Sequence, residues 1–204
     1  MTVEVKATDV KTLRERTGAG IMDCKAALAE ADGNVDRAIE ILRVRGQASA
    51  AKRTGRATSE GIVTSYIHAT GKVGVLVEVQ CETDFVARSD EFKRFASEVA
   101  IHIAGSPSPP LFVSAEEIPD AARESERSVF EAKAREEGKP DNIVVRIVEG
   151  QLNRWTKDVA LLEQEHVRSD VYEGKTIEDL RAEIASKTGE NVRIARFARF
   201  VVGE

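Results

Sequence analysis

The 204-residue chain carries 30 Lys and Arg against 35 Asp and Glu, which gives a formal net charge of −5. Hydrophobic residues make up 42% of the sequence, which is enough for a packed core and excludes global disorder. No segment approaches the roughly 18–20 consecutive apolar residues of a membrane span, and the acidic balance argues against nucleic acid as a direct partner. At about 150 residues per domain, we expect one mid-sized domain with a small one, or two small ones.

The cysteine and histidine content limits the chemistry further. Two cysteines are too few for a disulfide framework or, alone, for a four-ligand zinc site, and the three histidines show no ligand spacing. We therefore expect neither a metal nor a cofactor. The first residues, MTVEVKATDVKTL, lack the basic start and apolar block of a secretory signal, so we expect a cytoplasmic protein in a reducing compartment.

Three helical patterns open the chain and are separated by glycine-containing turns. Thr8 or Asp9 can cap the first helix, which ends at residues 17–20, and Asn34 can cap the third. The second helix has small and apolar residues on one face: Ile21, Cys24, Ala27 and Leu28. The pattern predicts a compact three-helix module over residues 1–45, followed by a basic, partly helical connector over residues 46–60.

Residues 61–204 combine strand and helix patterns. A turn at residues 70–72 precedes valines at every second position, which predicts a β-hairpin. Ser89 can cap a long helix, three further helices follow, and in the last strand Ile194, Ala198 and Phe200 are expected to alternate with arginines, Arg196 among them. We predict an α+β fold, in which the three-helix module precedes a core with a small antiparallel sheet covered by helices.

Two motifs favour structural over chemical roles. The segment from Gly18 to Lys25 superficially matches a phosphate-binding loop, but Cys24 and Ala26 stand where glycine and Ser or Thr are needed. Its glycines are predicted to serve a tight turn. No spacing supports a nucleophilic pair between Cys81 and a histidine, so we expect Cys81 to be a small buried hydrophobe.

The end of the predicted hairpin allows two interpretations. Asp84 and Phe85 stand side by side between the second strand and the next helix. In one interpretation Asp84 caps a helical turn and Phe85 packs beneath it. In the other the pair is presented as a tip, because an aromatic anchor with an acidic neighbour is typical of interface hot spots. The residues alone do not decide between them.

Two segments of the chain closely resemble the signature segments of bacterial elongation factor Ts. They are Leu13-Arg-Glu-Arg-Thr-Gly-Ala-Gly-Ile-Met-Asp-Cys-Lys25 and Thr83-Asp-Phe-Val-Ala-Arg88. Residues 197–204 are similar to the family's closing strand, and residues 137–140 and 148–150 are similar to its later core. The resemblance spans nearly the whole chain and indicates a short form with one core unit.

The resemblance implies a function without bond chemistry. A member of the family is not an enzyme: it binds elongation factor Tu·GDP and promotes GDP release by disturbing the Mg²⁺ and phosphate site, so that GTP can bind. The residues matching the segment that dislocates Mg²⁺ are Thr83, Asp84, Phe85 and Val86. In the short form, a homodimer is expected to supply the second half of the partner surface.

The resemblance also assigns the N-terminal module, as a ubiquitin-associated-like bundle, to docking on the GTPase. The matching residues are Arg14, Thr17, Gly18, Gly20, Met22 and Lys25, whereas Leu13 and Ile21 are expected to pack in the core. Two alternatives remain open. One is a protein-binding module without exchange activity, and the other is a thiol enzyme that uses Cys81.

Overall fold

The computed structural model describes residues 5–204. Their helices and strands follow one another as α1 (Ala7–Thr17), α2 (Ile21–Glu30), α3 (Val35–Ala51), β1 (Glu60–Ile67), β2 (Val73–Cys81), α4 (Asp84–Arg88), α5 (Asp90–Gly105), α6 (Asp120–Glu136), α7 (Asp141–Val159), α8 (Ser169–Tyr172), α9 (Ile177–Thr188) and β3 (Arg193–Val201). The predicted α+β fold, with N-terminal helices and a small antiparallel sheet, is confirmed. Within the described range, no helix is long and apolar enough to cross a membrane.

Contacts along the chain define two compact units. The first unit contains residues 5–62, 79–95 and 179–193, and the second contains residues 63–78, 96–178 and 194–204. The first unit therefore joins the three N-terminal helices to the end of the hairpin and to α9, which stand far apart in the sequence. The boundaries expected at residues 45 and 60 stay a prediction.

The sheet has the strand order β1-β2-β3. The backbone N–H of His68 donates to the carbonyl of Val73 at 2.9 Å, and that of Val202 donates to the carbonyl of Lys72 at 3.0 Å. These two bonds show the register of the strands. Because side chains alternate between the two faces along each strand, the register decides which residues share a face. The alternate apolar residues of β2 are buried, as the period of two predicts: Val75, Val77, Val79 and Cys81.

The alternation predicted for β3 is wrong in part. Ile194 is buried, but Ala198 and Phe200 are exposed together with Arg196. Arg196 stands two residues from Ala198 and four from Phe200, so a strict period of two places all three on one face. The prediction placed Arg196 on the opposite face from Ala198 and Phe200, whereas the three residues share one face.

Helices α1, α2 and α3 enclose a small core, to which the following residues contribute buried side chains: Leu13, Cys24, Ala27, Leu28, Ala31 and Ala38. Asn34 caps α3 as predicted, since its side-chain oxygen accepts from the N–H of Arg37 at 3.0 Å. The packing predicted for Ile21 is wrong, because its side chain is 56% exposed. At 3.6 residues per turn, this first residue of α2 lies roughly 65° from the centre of the buried face, at its edge.

Helix α3 contacts α9 within the first unit. The Gln47 amide donates to the Asp179 carboxylate at 2.7 Å, and the Arg53 guanidinium donates to the carbonyl of Ala185 at 3.2 Å. Helix α3 continues to Ala51, so part of the predicted connector is helical, as expected. These bonds tie the three-helix module to α9.

A buried histidine organises part of the second unit. His102 donates from Nε2 to the side-chain oxygen of Gln164 at 2.8 Å and accepts at Nδ1 from the N–H of Val167 at 3.2 Å. Both ring nitrogens are therefore used by the neutral imidazole. Burial is the main cause that lowers the pKa of His102 to about 4, and the nearby His166 lowers it further.

Candidate partner-binding site

Helix α4 presents the predicted tip directly after β2. Phe85, its second residue, is 83% exposed, so the interpretation in which Phe85 packs beneath a helical turn is wrong. The cap is Thr83 rather than Asp84, since the Thr83 hydroxyl accepts from the N–H of Val86 at 3.4 Å. Asp84 is the exposed first residue of the helix, and its carboxylate pairs with Arg88 at 2.9 Å.

The tip is supported from below by its own chain. Val86 and Ala87 are buried, so of the four residues assigned to the tip, Val86 faces inward while Thr83, Asp84 and Phe85 are exposed. The Ser89 hydroxyl closes α4 by donating to the carbonyl of Val86 and accepts from the N–H of Phe92 at 3.3 Å. Ser89 therefore ends the short helix and, as predicted, caps α5.

Polar contacts that the sequence did not indicate hold Glu82, the residue before the tip. The backbone N–H of Asn191 donates to the Glu82 carboxylate at 2.6 Å, and Arg56 pairs with the same oxygen at 3.4 Å. The N–H of Asn191 is the main cause that keeps the pKa of Glu82 below its usual value, and Arg56 adds to it. The Asn191 side chain donates to the carbonyls of Thr54 and Arg56 at 3.3 and 2.8 Å.

Three of the predicted docking residues build the turn between α1 and α2. The Thr17 hydroxyl donates to the carbonyl of Leu13 at 2.7 Å and accepts from the N–H of Ala19 at 3.3 Å. Gly18 ends α1 with φ at +66°, a conformation that favours glycine, and Gly20 is the residue before α2. The core position predicted for Leu13 is confirmed, since that residue is fully buried.

The other docking residues have exposed side chains. Met22 is 75% exposed on α2, and Lys25 lies one turn further along the same helix. Successive residues of a helix are separated by about 100°, so Ile21, Met22 and Lys25 span one side of α2. Arg14 is exposed on the last turn of α1. The exposed apolar pair Ile21 and Met22 therefore stands beside the basic Lys25 on this side of α2.

Neither cysteine has the surroundings of a nucleophile. Cys81 is fully buried and its thiol donates to the carbonyl of Thr83 at 3.2 Å, while burial, followed by the charge of Glu190, raises its pKa to about 11. Burial is also the main cause that raises the pKa of Cys24. The residues described here contain no group of three or more His, Cys, Asp or Glu side chains arranged to hold a metal ion.

An exposed aromatic on an ordered tip, together with an exposed methionine on a small helical module, is typical of a protein-binding factor. Comparisons with known proteins agree. The family model described as Elongation factor TS matches residues 2–204. Elongation factor Ts of Thermoanaerobacter sp. (strain X514) is 52% identical over 200 residues, which cover 98% of this chain and 96% of that protein.

Two further relatives give the same result. Elongation factor Ts of Caldanaerobacter subterraneus subsp. tengcongensis is 50% identical over 98% of both chains. Elongation factor Ts of Geobacter sulfurreducens is 48% identical over 99% of this chain and 91% of that protein. The chain belongs to the elongation factor Ts family and is thus a translation elongation factor.

Proposed function

We propose that the chain is the guanine-nucleotide exchange factor of elongation factor Tu. It binds the GDP complex of that GTPase and promotes GDP release by disturbing the contacts of Mg²⁺ and phosphate, after which GTP binds. No covalent bond is made or broken. The chain acts by stabilising a ternary intermediate in which the nucleotide is held less tightly. Binding of the chain to the GTPase is thereby coupled to binding of the nucleotide at its own site.

The observation that carries the proposal is the exposure of Phe85 on a helix with a buried underside. A rigid aromatic contributes a large contact area and loses little rotamer entropy on binding, which suits a wedge inserted between elements of the GTPase. Asp84 stands beside Phe85 and can act on the groups around Mg²⁺. Val86 supports the wedge from the core side.

The N-terminal module provides the docking surface in this proposal. Met22 is its apolar anchor, Lys25 adds positive charge one turn further along α2, and Arg14 is the basic contact residue on α1. Thr17, Gly18 and Gly20 act through the turn that orients α2 against α1. The module and the tip belong to the same compact unit, which supports a combined binding surface.

The test is the release of fluorescent GDP from elongation factor Tu, with a chase of unlabelled GDP and increasing amounts of the chain. We expect the native chain to accelerate release and Phe85→Ala to lose about 30-fold or more at saturation, which corresponds to a hot spot of about 2 kcal/mol. Leu111→Ala is the matched control, because Leu111 is another exposed apolar side chain but lies in the second unit.

The alternative binding module predicts a different result. A chain that binds elongation factor Tu but leaves GDP release unchanged, with or without Phe85→Ala, would overturn the exchange function in favour of binding alone. Acceleration that survives Phe85→Ala would retain the exchange function and remove the wedge from its mechanism. Equal losses in Phe85→Ala and Leu111→Ala would also contradict the wedge.

We further propose that a second copy of the chain covers the exposed sheet face of the second unit. Ile67, Leu76 and Phe200 are exposed there, and the same face carries an ion pair between Arg196 and Glu78 at 2.7 Å. Because that pair neutralises its own charges, the face suits an apolar, uncharged partner surface. A two-fold dimer offers such a surface by placing the same patch against itself.

Sedimentation equilibrium tests the dimer. We expect the native chain to sediment with twice its mass and Leu76→Lys to sediment as a monomer. Val145→Lys is the control, since Val145 is an exposed valine on α7. A native chain that remains monomeric at tens of micromolar would overturn this part of the proposal.

A further inference from the structure

The loop between α9 and β3 reaches the residues immediately before α4. The Glu190 carboxylate accepts from the backbone N–H of Glu82 at 3.0 Å and from that of Thr83 at 3.1 Å, both at one oxygen. Its other oxygen accepts from the Thr83 hydroxyl at 2.6 Å. One carboxylate therefore satisfies three donors at the base of the tip, and hydrogen bonds to a charged acceptor are stronger than neutral ones.

Glu190 is itself held in place by its neighbours in the chain. Its backbone N–H donates to the Thr188 hydroxyl at 3.4 Å, at the end of α9. The next residue, Asn191, is buried and bonds to the backbone carbonyls of Thr54 and Arg56. The carboxylate consequently acts on the tip from a fixed position rather than from a mobile loop.

The three bonds that the Glu190 carboxylate accepts are called the clamp below. The Thr83 hydroxyl connects the clamp to the start of α4, the helix that carries Phe85. It donates to Glu190 and at the same time accepts from the N–H of Val86, as the cap of α4. Helix α4 has five residues, which is far below the length at which an isolated helix is stable in water. Its start must therefore be fixed from outside, and Glu190 supplies three of the bonds that do so.

We propose that Glu190 is a positioning residue of the exchange reaction, which preorganises the Asp84 and Phe85 tip before the GTPase is met. The inference rests on the proposed exchange function and adds a residue that does not touch the GTPase itself. A tip that is ordered in advance loses less conformational entropy on insertion, so Glu190 lowers the barrier to nucleotide release.

Two measurements on variants test the inference. In hydrogen–deuterium exchange of the chain alone, Glu190→Ala should speed exchange of the amides of Glu82 and Thr83 by about tenfold or more, because their acceptor is lost. The amide of Val86 should also exchange faster, because the Thr83 hydroxyl that accepts from it is no longer held by Glu190. In the GDP-release assay, the same variant should lower the saturating rate by about tenfold, while its affinity for elongation factor Tu stays within about threefold. Glu149→Gln, on the exposed face of α7, is the charge control.

Conservative variants separate positioning from simple loss of folding. Glu190→Gln keeps the size of the side chain and one acceptor oxygen and should lose less than Glu190→Ala, whereas Thr83→Val removes both the donor to Glu190 and the cap of α4 and should lose at least as much as Glu190→Ala. If Glu190 acts only through the tip, the double variant Phe85→Ala/Glu190→Ala should be no slower than Phe85→Ala alone. Circular dichroism at the assay temperature confirms that each variant is folded.

The outcomes distinguish this inference from the function on which it rests. A native chain that does not accelerate GDP release overturns the exchange function, and the amide measurement still reports on the clamp. Native acceleration combined with unchanged rates in Glu190→Ala and Thr83→Val overturns the positioning role alone. Losses that multiply in the double variant would also overturn it, since they would place the effect of Glu190 outside the tip.

Discussion

The side chain of Lys187, in the last turn of α9, lies against the backbone of Gly18. A methyl group placed on Gly18 would overlap Cε of Lys187. Two independent constraints therefore act at this position, because the backbone also has φ at +66°. Only the second is costly, since the end of a lysine side chain can move aside while a left-handed conformation strains any residue with a Cβ atom.

We accordingly expect Gly18→Ala to lower the free energy of unfolding by about 1–2 kcal/mol. Adding Lys187→Ala should restore little of that loss, because it relieves the overlap and leaves the strain. Urea unfolding at constant pH gives both values. Gly55→Ala is the control, since nothing lies near a Cβ atom at Gly55, and an equal loss there would contradict the argument.

The buried histidines predict that stability falls in acid. The lowered pKa of His102, about 4 against an ordinary 6.5, means that the unfolded chain binds a proton more readily than the folded one. The contribution of His102 is therefore complete above about pH 6.5 and is lost as the pH falls towards 4. His166, whose pKa burial also lowers, acts in the same direction.

A proton added to His102 has no acceptor, because Nδ1 already faces the N–H of Val167. We expect the native chain to lose about 2 kcal/mol of unfolding free energy between pH 7.5 and pH 5 from His102 alone. Denaturant titration at the two pH values measures this loss. It should shrink in His102→Gln and persist in His68→Gln, and a loss unaffected by His102→Gln would contradict the assignment.

The buried thiols predict resistance to alkylation. With a pKa of about 11, Cys81 is roughly one part in a thousand thiolate at pH 8, and its burial excludes the reagent as well. Iodoacetamide at pH 8 should leave the folded chain unmodified over an hour and should modify both cysteines in urea, as mass spectrometry would report. Rapid labelling of Cys81 in the folded chain would contradict this assignment and would favour the thiol enzyme instead.

Met22 and Leu13 should separate binding from stability within one module. Met22→Ala truncates an exposed anchor, so we expect weaker binding to elongation factor Tu by about tenfold and an unchanged unfolding free energy. Leu13→Ala removes a fully buried side chain and should cost about 2–5 kcal/mol of stability. Calorimetric titration and urea unfolding of both variants provide the check, and a destabilised Met22→Ala chain would contradict the surface role.

Local patterns predicted most of the fold. The valines of β2 alternate and are buried, and both Asn34 and Ser89 cap the helices they precede. These features depend on residues within a turn or two of one another, which is the range that periodicity and capping describe. The edge position of Ile21 is the counterexample, because only the partners of a helix decide where its buried face ends.

The tip could be predicted only in part. The sequence indicated that Asp84 and Phe85 could form an interface tip. It could not predict the exposure of Phe85, because that depends on what lies beneath α4. The clamp by Glu190 has no local signature, since a glutamate after a helix is usually solvated. Its partner Thr83 stands 107 positions earlier, and a bond across such a separation leaves no trace in the spacing of either segment.

The distance in sequence between Thr83 and Glu190 determines when their bonds can form during synthesis. The ribosome completes α1 to α5 long before it adds Glu190 and Asn191, so the hairpin emerges with its end unclamped. During this interval Phe85 belongs to a segment without its closing contacts, and contacts between distant residues form late in folding. Residues added late in synthesis therefore complete the surface that the middle of the chain presents, and we expect a chain that stops before Glu190 to lack the bonds that fix the start of α4.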